Sequence, residues 1–283
     1  MATVLITGAS GNVGAATAAA LRDAGSPVRM ASRSGSGPDG VPFDFTDAST
    51  WGDAFDGVES MLLVRPPAIG NVKRDLLPAL LAARERGVEH VVFLSLQGAE
   101  RNRVVPHATV EAWLRASGMD WTFLRASFFH QNLITTHVAD IRDRDEIVVP
   151  AGGGATAFVD ARDVGACAAV ALGDRAHHAG KAWTITGPRA ITYAQIASML
   201  TDELDRPISY TRPGALRYAW HAKRALGMSL GMTAVTTAIY TTARMGLAAS
   251  LSDDARLILG RDPIDFSEFA HDARGAWMPA GKP

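Results

Sequence analysis

Three glycines spaced by three, Gly8, Gly11 and Gly14, follow the apolar run Val4-Leu5-Ile6-Thr7 directly and lead into the alanine-rich segment Ala15 to Ala24. Each has a separate task in holding a dinucleotide. Gly8 turns the backbone off a strand, Gly11 lets it approach a pyrophosphate closely, and Gly14 lets the next helix pack on the sheet. The helix N-terminus then offers N–H groups and partial positive charge to phosphates. Thr7, Gly8, Ser10, Gly11, Asn12, Val13 and Gly14 are therefore the first candidate cofactor contacts. At the end of the second strand, where NAD proteins place a carboxylate for the ribose 2′-hydroxyl, the chain carries Ser32-Arg33-Ser34. An arginine there suits a 2′-phosphate, so NADP(H) is predicted over NAD. Asp44 and Phe45 follow the third strand, where they could accept from the adenine amino group and stack on its ring; a cap made by Asp47 and a core place for Phe45 fit equally. Val64, Arg65 and Pro66 end the fourth strand, where the chain passes beneath a cofactor and Arg65 could bind a phosphate or an acidic substrate group.

These residues need a parallel sheet to bring them to one edge, and the apolar patterning supplies it. Strand-like segments are predicted at Thr3 to Thr7, Pro27 to Ser32, Val41 to Asp44, Ser60 to Val64, His90 to Leu96 and Trp121 to Arg125. Helices are predicted between them at Val13 to Ala24, Ala48 to Phe55, Val72 to Arg86 and Pro106 to Ser117. The alternation specifies an α/β fold, a doubly wound (Rossmann) parallel sheet with ligands at the C-terminal strand edge. A dinucleotide-binding domain over 1–150 is expected, with 157–186 returning to the sheet and 187–283 forming a smaller, mainly helical substrate-binding or lid region. Lys181 to Thr186 reads as a further strand, and Thr192 caps a helix running to Leu204.

Lysine and arginine (28) nearly balance aspartate and glutamate (29), giving a formal charge of −1. No global field draws such a chain to nucleic acid or to an anionic membrane, and neither is expected as a partner. The single cysteine, Cys167, lies in an apolar helical run and reads as a small buried thiol, which rules out a disulfide framework. With no basic leader ahead of the first strand, the expected compartment is the cytoplasm. Ala225 to Leu251 is interrupted by Arg244 and several glycines and reads as buried or interfacial helix rather than a membrane span. Its Met228 and Met232 are either core or the flexible wall of an apolar ligand site. His177-His178 reads as a solvated loop pair.

Taken together, Thr7-Gly8-x-x-Gly11-x-x-Gly14, Asp44-x-x-Asp47, Ser95, His107-x-x-x-Glu111, Gly118-x-x-Trp121-Thr122-x-Leu124-Arg125, Phe128-x-x-x-Asn132 and Asp160-x-x-Asp163-Val164 resemble the NmrA-like branch of the atypical short-chain dehydrogenase/reductases. Thr186-Gly187-Pro188 and Gly260-Arg261-x-Pro263 extend the resemblance over nearly the whole chain. Members of this branch include NADPH-dependent quinone, azo-dye and triphenylmethane reductases, and regulators that bind the dinucleotide without turning it over. The resemblance implies that the loop Ala126 to Asn132 borders the nicotinamide, with Phe128 and Phe129 as an apolar wall and Asn132 as a polar anchor, and that Ser95 and Phe128 contact the cofactor; core packing of the two phenylalanines fits equally.

One departure matters for chemistry. Ordinary short-chain dehydrogenases carry a tyrosine and a lysine four residues apart on the helix after the serine-bearing strand, and here that helix has His107 and Glu111, with no tyrosine between Val91 and Phe129. The spacing puts His107 and Glu111 on one face, as a charged pair, as contacts to the nicotinamide ribose, or as a surface pair without a chemical role. His107 is the candidate proton donor, since histidine titrates near neutrality. A metal pair lacks further ligands nearby, and no metal is expected. Three functions follow: an NADPH-dependent reductase of quinone-like or electron-poor aromatic acceptors, a non-catalytic NADP(H)-sensing regulator, and a tailoring enzyme acting on a polyketide-like secondary metabolite. The reductase is the leading expectation, with a small aromatic substrate as partner, Phe129, Asn132, Met228 and Met232 on the substrate side, and a homodimer as a compatible state.

Overall fold

The computed structural model describes residues 3–278. The chain forms two compact units, one taking the chain through Ala126, then Ala161–Ile185 and Asp253–Arg261, the other Ser127–Asp160, Thr186–Ser252 and the chain from Asp262 on.

The first unit is built on seven strands: β1 (Thr3–Ile6), β2 (Val28–Ser32), β3 (Gly40–Pro42), β4 (Val58–Leu63), β5 (His90–Leu96), β6 (Asp120–Ala126) and β7 (Lys181–Ile185). Their order is β3-β2-β1-β4-β5-β6-β7, and every pairing is parallel. The order reverses between β1 and β4, which is where a doubly wound sheet opens a crevice at its C-terminal edge. Apolar runs such as Val91-Val92-Phe93 are fully buried, as a sheet covered on both faces requires. Helix α1 (Asn12–Asp23) packs along α4 (Ala161–Gly173), with α2 (Leu77–Glu85) and α3 (Pro106–Ala116) completing the labelled helices of this unit. The α1–α4 crossing is close enough that a Cβ on Gly165 would fall 2.5 Å from that of Ala16.

Two expectations shift. The helix predicted over Val72 to Arg86 is broken into Val72–Asp75 and α2. Pro78 has no N–H to donate and its ring meets the carbonyl four residues back, so the helix restarts with proline in its first turn. The boundary expected near 150 falls at Ala126, where the last strand of that run ends, and the segment 253–261 belongs to the first unit rather than to the C-terminal region. There the Thr184 N–H donates to the Asp254 carboxylate at 2.7 Å and Arg261 pairs with the buried Asp163 at 2.7 Å, anchors that a reading of local periodicity does not contain.

The second unit packs helices α5 (Tyr193–Leu204), α6 (Ala215–Arg224) and α7 (Leu230–Arg244) around Phe158, Tyr193, Tyr218, Tyr240, Phe266 and Trp277. Thr192 caps α5 through a reciprocal box with Gln195. All four tyrosines of the chain lie in this unit.

Candidate functional site

Gly8 adopts φ +63°, the left-handed conformation that makes the sharp turn off β1. A Cβ on Gly14 would lie 2.3 Å from the Gly8 carbonyl oxygen, so only glycine lets α1 begin this close to the turn. Gly11 is the N-cap and no side chain caps α1. The N–H groups of its first turn therefore point outward without intrahelical acceptors, which is the usual arrangement at a phosphate site. Ser10, Gly11 and Asn12 are exposed beside them, whereas Val13 is buried and contributes its backbone alone.

A pocket of about 450 Å³ adjoins this turn, lined by Ala9, Ser10, Met30, Ser32, Arg33, Ser34 and Ser36. Arg33 is exposed and its guanidinium makes no hydrogen bond or ion pair among the described residues, while Asp44 feels its charge. A free guanidinium among short hydroxyl side chains, with no carboxylate in the lining, fits a phosphorylated ribose better than a bare one. Arg33 is the legible sign of this rim in the sequence, whereas Ala9, Met30, Ser32, Ser34 and Ser36 are lining residues to which no role is assigned from sequence.

Several expected contacts are committed elsewhere. Thr7 is buried, donates its hydroxyl to the Leu62 carbonyl at 3.0 Å and accepts from the Val64 N–H at 2.8 Å, so it joins β1 to β4 instead of facing a ligand. Phe45 is buried and meets Phe43 edge-on at 4.8 Å, which removes it from adenine stacking. Asp44 accepts from the Thr46 N–H at 2.8 Å and the Thr46 hydroxyl at 2.7 Å, and these bonds hold its carboxyl below the ordinary range. Asp47 caps the short helix at Ala48–Thr50. Val64 and Pro66 are half-buried at the end of β4. Arg65 donates through one guanidinium nitrogen to the Ile69 carbonyl at 2.7 Å and the Pro66 carbonyl at 3.0 Å, while its buried Nε has no hydrogen-bond partner among the described residues.

Ser95, Glu111 and Arg125 form one buried network. The β5–β6 register sets Ser95 opposite Arg125, and Glu111 reaches them from α3. Ser95 donates to Glu111 Oε1 at 2.7 Å, and Arg125 donates to both carboxylate oxygens at 3.0 and 2.7 Å. Burial pushes the Glu111 carboxyl upward, but the hydrogen bonds from Arg125 and Ser95 and the charges of Arg125 and Arg115 outweigh it and hold it below the ordinary range. Glu111 is thus bonded to Arg125 and Ser95 rather than to His107, and the Ser95 hydroxyl is engaged within this network. Arg125 was missed as its partner, because the contact exists only in the strand register.

His107 is half-buried, stacked on Phe93 at 5.8 Å between centroids, with a buried Nδ1 that finds no hydrogen-bond partner. Burial first, then the nearby Arg65 charge, push its pKa down to about 4 against the pull of Glu111. It is thus neutral at pH 7, and titration near neutrality is not available to it. Cys167 is buried and its thiol pushed up to about 12, mainly by burial, which fits an inert packing role. His178 is buried rather than solvated.

In the second unit, the loop from Ser127 to Asn132 is pinned by backbone pairing of Phe129 with Val159 and by Gln131 donating to Asp160 at 2.7 Å. Phe128 packs against Phe158 and Tyr240, each at 6.2 Å between centroids, while Phe129 and Asn132 remain partly exposed. Met228 is half-buried and accepts from the Thr236 hydroxyl at 3.7 Å, and Met232 is exposed on α7. A buried chain that the sequence did not signal links the Tyr240 hydroxyl to His137 Nε2 at 2.7 Å, with Asp140 held by His221 at 2.8 Å.

A parallel sheet of this order, with a glycine turn, an uncapped helix start and a cationic pocket at its C-terminal edge, defines a dinucleotide-binding α/β protein. The chain belongs to the NmrA-like family, whose model matches residues 1–218. It is 29% identical to an NAD(P)H azoreductase of Xenophilus azovorans, over 94% of this chain and 96% of that protein. A (4-alkanoyl-5-oxo-2,5-dihydrofuran-3-yl)methyl phosphate reductase of Streptomyces griseus is 30% identical over 98% of this chain and 99% of its own. An Escherichia coli NADPH-dependent quinone oxidoreductase solved with NADPH shares the fold at a TM-score of 0.84, with 22% identity over 96% of this chain and 99% of that one.

Proposed function

We propose that this chain is an NADPH-dependent reductase that delivers hydride to a quinone-like or other electron-poor aromatic acceptor. The observation that carries the reading is the unpaired Arg33 guanidinium on a carboxylate-free rim of the pocket beside the glycine turn. Ser10, Gly11, Asn12 and the first N–H groups of α1 would hold the pyrophosphate, and Arg33 with the rim serines would hold the 2′-phosphate. Bound there, the cofactor supplies hydride from its nicotinamide. The activities for which these relatives are named, reduction of azo compounds, of a dihydrofuranone and of quinones, support the same class.

The chain's own acids narrow the acceptor. No tyrosine occurs between Val91 and Phe129, Glu111 is bound by Arg125 and Ser95, and His107 is neutral with a pKa near 4. An acceptor whose reduced anion is stabilised by its own delocalised electrons needs no strong protein acid, and water can protonate it. Phe129, Asn132, Met228 and Met232 are the side chains proposed to position it. A secondary-metabolite aromatic would meet the same requirement, and a reducing compartment such as the cytoplasm suits the single buried cysteine.

The test is NADPH consumption by the purified chain with a panel of quinones, azo compounds and electron-poor enones, alongside calorimetry. Turnover with quinones at the expense of NADPH is expected. Tight NADPH binding without turnover across the panel would replace the reading with that of an NADP(H) sensor.

A further inference from the structure

The chain-wide charge of −1 is not evenly spread. Between Asp205 and Asp253 there is no aspartate or glutamate, while Arg206, Arg212, Arg217, Lys223, Arg224 and Arg244 all fall there. Nine of the thirteen large apolar side chains exposed among the described residues lie in the same stretch, which is about a sixth of the chain. Scattered exposed leucines need no explanation, but concentration on one helical hairpin marks an interaction surface. On α6, Leu216 is 89% and Trp220 64% exposed, one turn apart, with Arg217, Lys223 and Arg224 exposed among them. Arg224 lies 6.0 Å over the Trp220 ring. On α7, Leu230, Val235 and Ile239 are exposed at helical spacing, and no charge occurs before Arg244.

We propose that this hairpin lies on the surface of an anionic phospholipid bilayer, with Trp220, Leu216 and the α7 stripe entering the headgroup region and the cations meeting lipid phosphates. Tryptophan and leucine beside lysine and arginine, with no acid, is the composition of helices that rest in an interface. No helix among the described residues is long and apolar enough to cross a membrane, so the contact is peripheral. A second copy fits the face less well, because a two-fold contact would set the exposed Arg217, Lys223 and Arg224 of α6 against their own counterparts, with no carboxylate on either helix to separate them. The inference is independent of whether the chain is a reductase or a sensor.

The test is co-sedimentation of the full chain with vesicles of phosphatidylcholine alone, or with about a third phosphatidylglycerol, at low salt and at about 0.5 M. Binding to the anionic vesicles alone, lost at high salt, is expected. R217Q/K223Q/R224Q should lower the partition coefficient about 100-fold, taking about five-fold per cation, and L216S/W220S should release the protein as well. An unchanged melting transition and NADPH affinity show that these exposed substitutions leave the fold intact. Absence of binding to the anionic vesicles overturns the proposal, as does equal binding to neutral ones. Concentration-dependent self-association abolished by L216S/W220S, without vesicle binding, assigns the face to a second copy instead.

Discussion

Replacing Arg33 with alanine tests the cofactor assignment at a single side chain. Its guanidinium lines the pocket beside the glycine turn and has no protein partner among the described residues to lose on substitution, so the fold should be indifferent to the change. What is lost is the contact to a 2′-phosphate, a charge-assisted and forked hydrogen bond worth about 1–3 kcal/mol, near the lower end for an exposed side chain screened by salt. The NADPH dissociation constant should rise roughly 5- to 150-fold, while that for NADH stays unchanged. Arg33→Lys keeps the charge but not the fork and should fall between the two. Titration calorimetry with both dinucleotides, at two ionic strengths, reads the difference directly. Equal losses for NADPH and NADH, or none for either, would refute the reasoning and leave Arg33 as a solvated side chain.

Gly14→Ala places a methyl 2.3 Å from the Gly8 carbonyl oxygen; the displaced start of α1 should weaken both dinucleotides and cost about 1–3 kcal/mol of stability, measured by calorimetry and denaturant melts. Glu111→Ala takes the bidentate partner from Arg125, leaving it Glu100 at 3.4 Å, and should destabilise by about 1.5–3 kcal/mol, with NADPH affinity retained in whatever fraction stays folded; a melting transition unmoved by the change would show the network to be dispensable. His90 and His107 are both pushed down to about 4, chiefly by burial. Because an unfolded histidine binds its proton at higher pH, stability should fall as pH drops from about 6.5 to about 4, by up to about 3 kcal/mol for each. His107→Asn should flatten its share of that slope in denaturant melts recorded across the window.

The sheet was legible because a strand buried on both faces leaves an unbroken apolar run, as in His90–Leu96, whose bounds match. The glycine turn was legible because each glycine answers a separate steric demand. What stayed hidden depends on register and face. Nothing at a spacing of four could say that Glu111 turns toward Arg125 rather than His107, because that choice is made by the pairing of Ser95 with Arg125 across β5 and β6. Asp44 and Phe45 are adjacent, yet β3 is only three residues long, too short for alternation to show which side chain points inward. Arg65 reads as available for a phosphate because a sequence does not reveal that its side chain folds back on the carbonyls of Pro66 and Ile69.

The first unit is written in three separate pieces of chain, and this has a consequence for its synthesis. β6 ends at Ala126, but its outer edge is paired only by β7, Lys181–Ile185. The brace of Asp254 on Thr184 comes later still. On the ribosome, the dinucleotide-binding half therefore carries an open strand edge while the whole of Ser127–Asp160 emerges, and it acquires its last element only when the segment 253–261 is out. A fragment stopped after Ala126 would contain every glycine of the cofactor turn and yet lack α4, the helix that α1 packs against. The cofactor half cannot be cut from this protein with a single pair of ends; it is finished only when nearly all of the chain has been made.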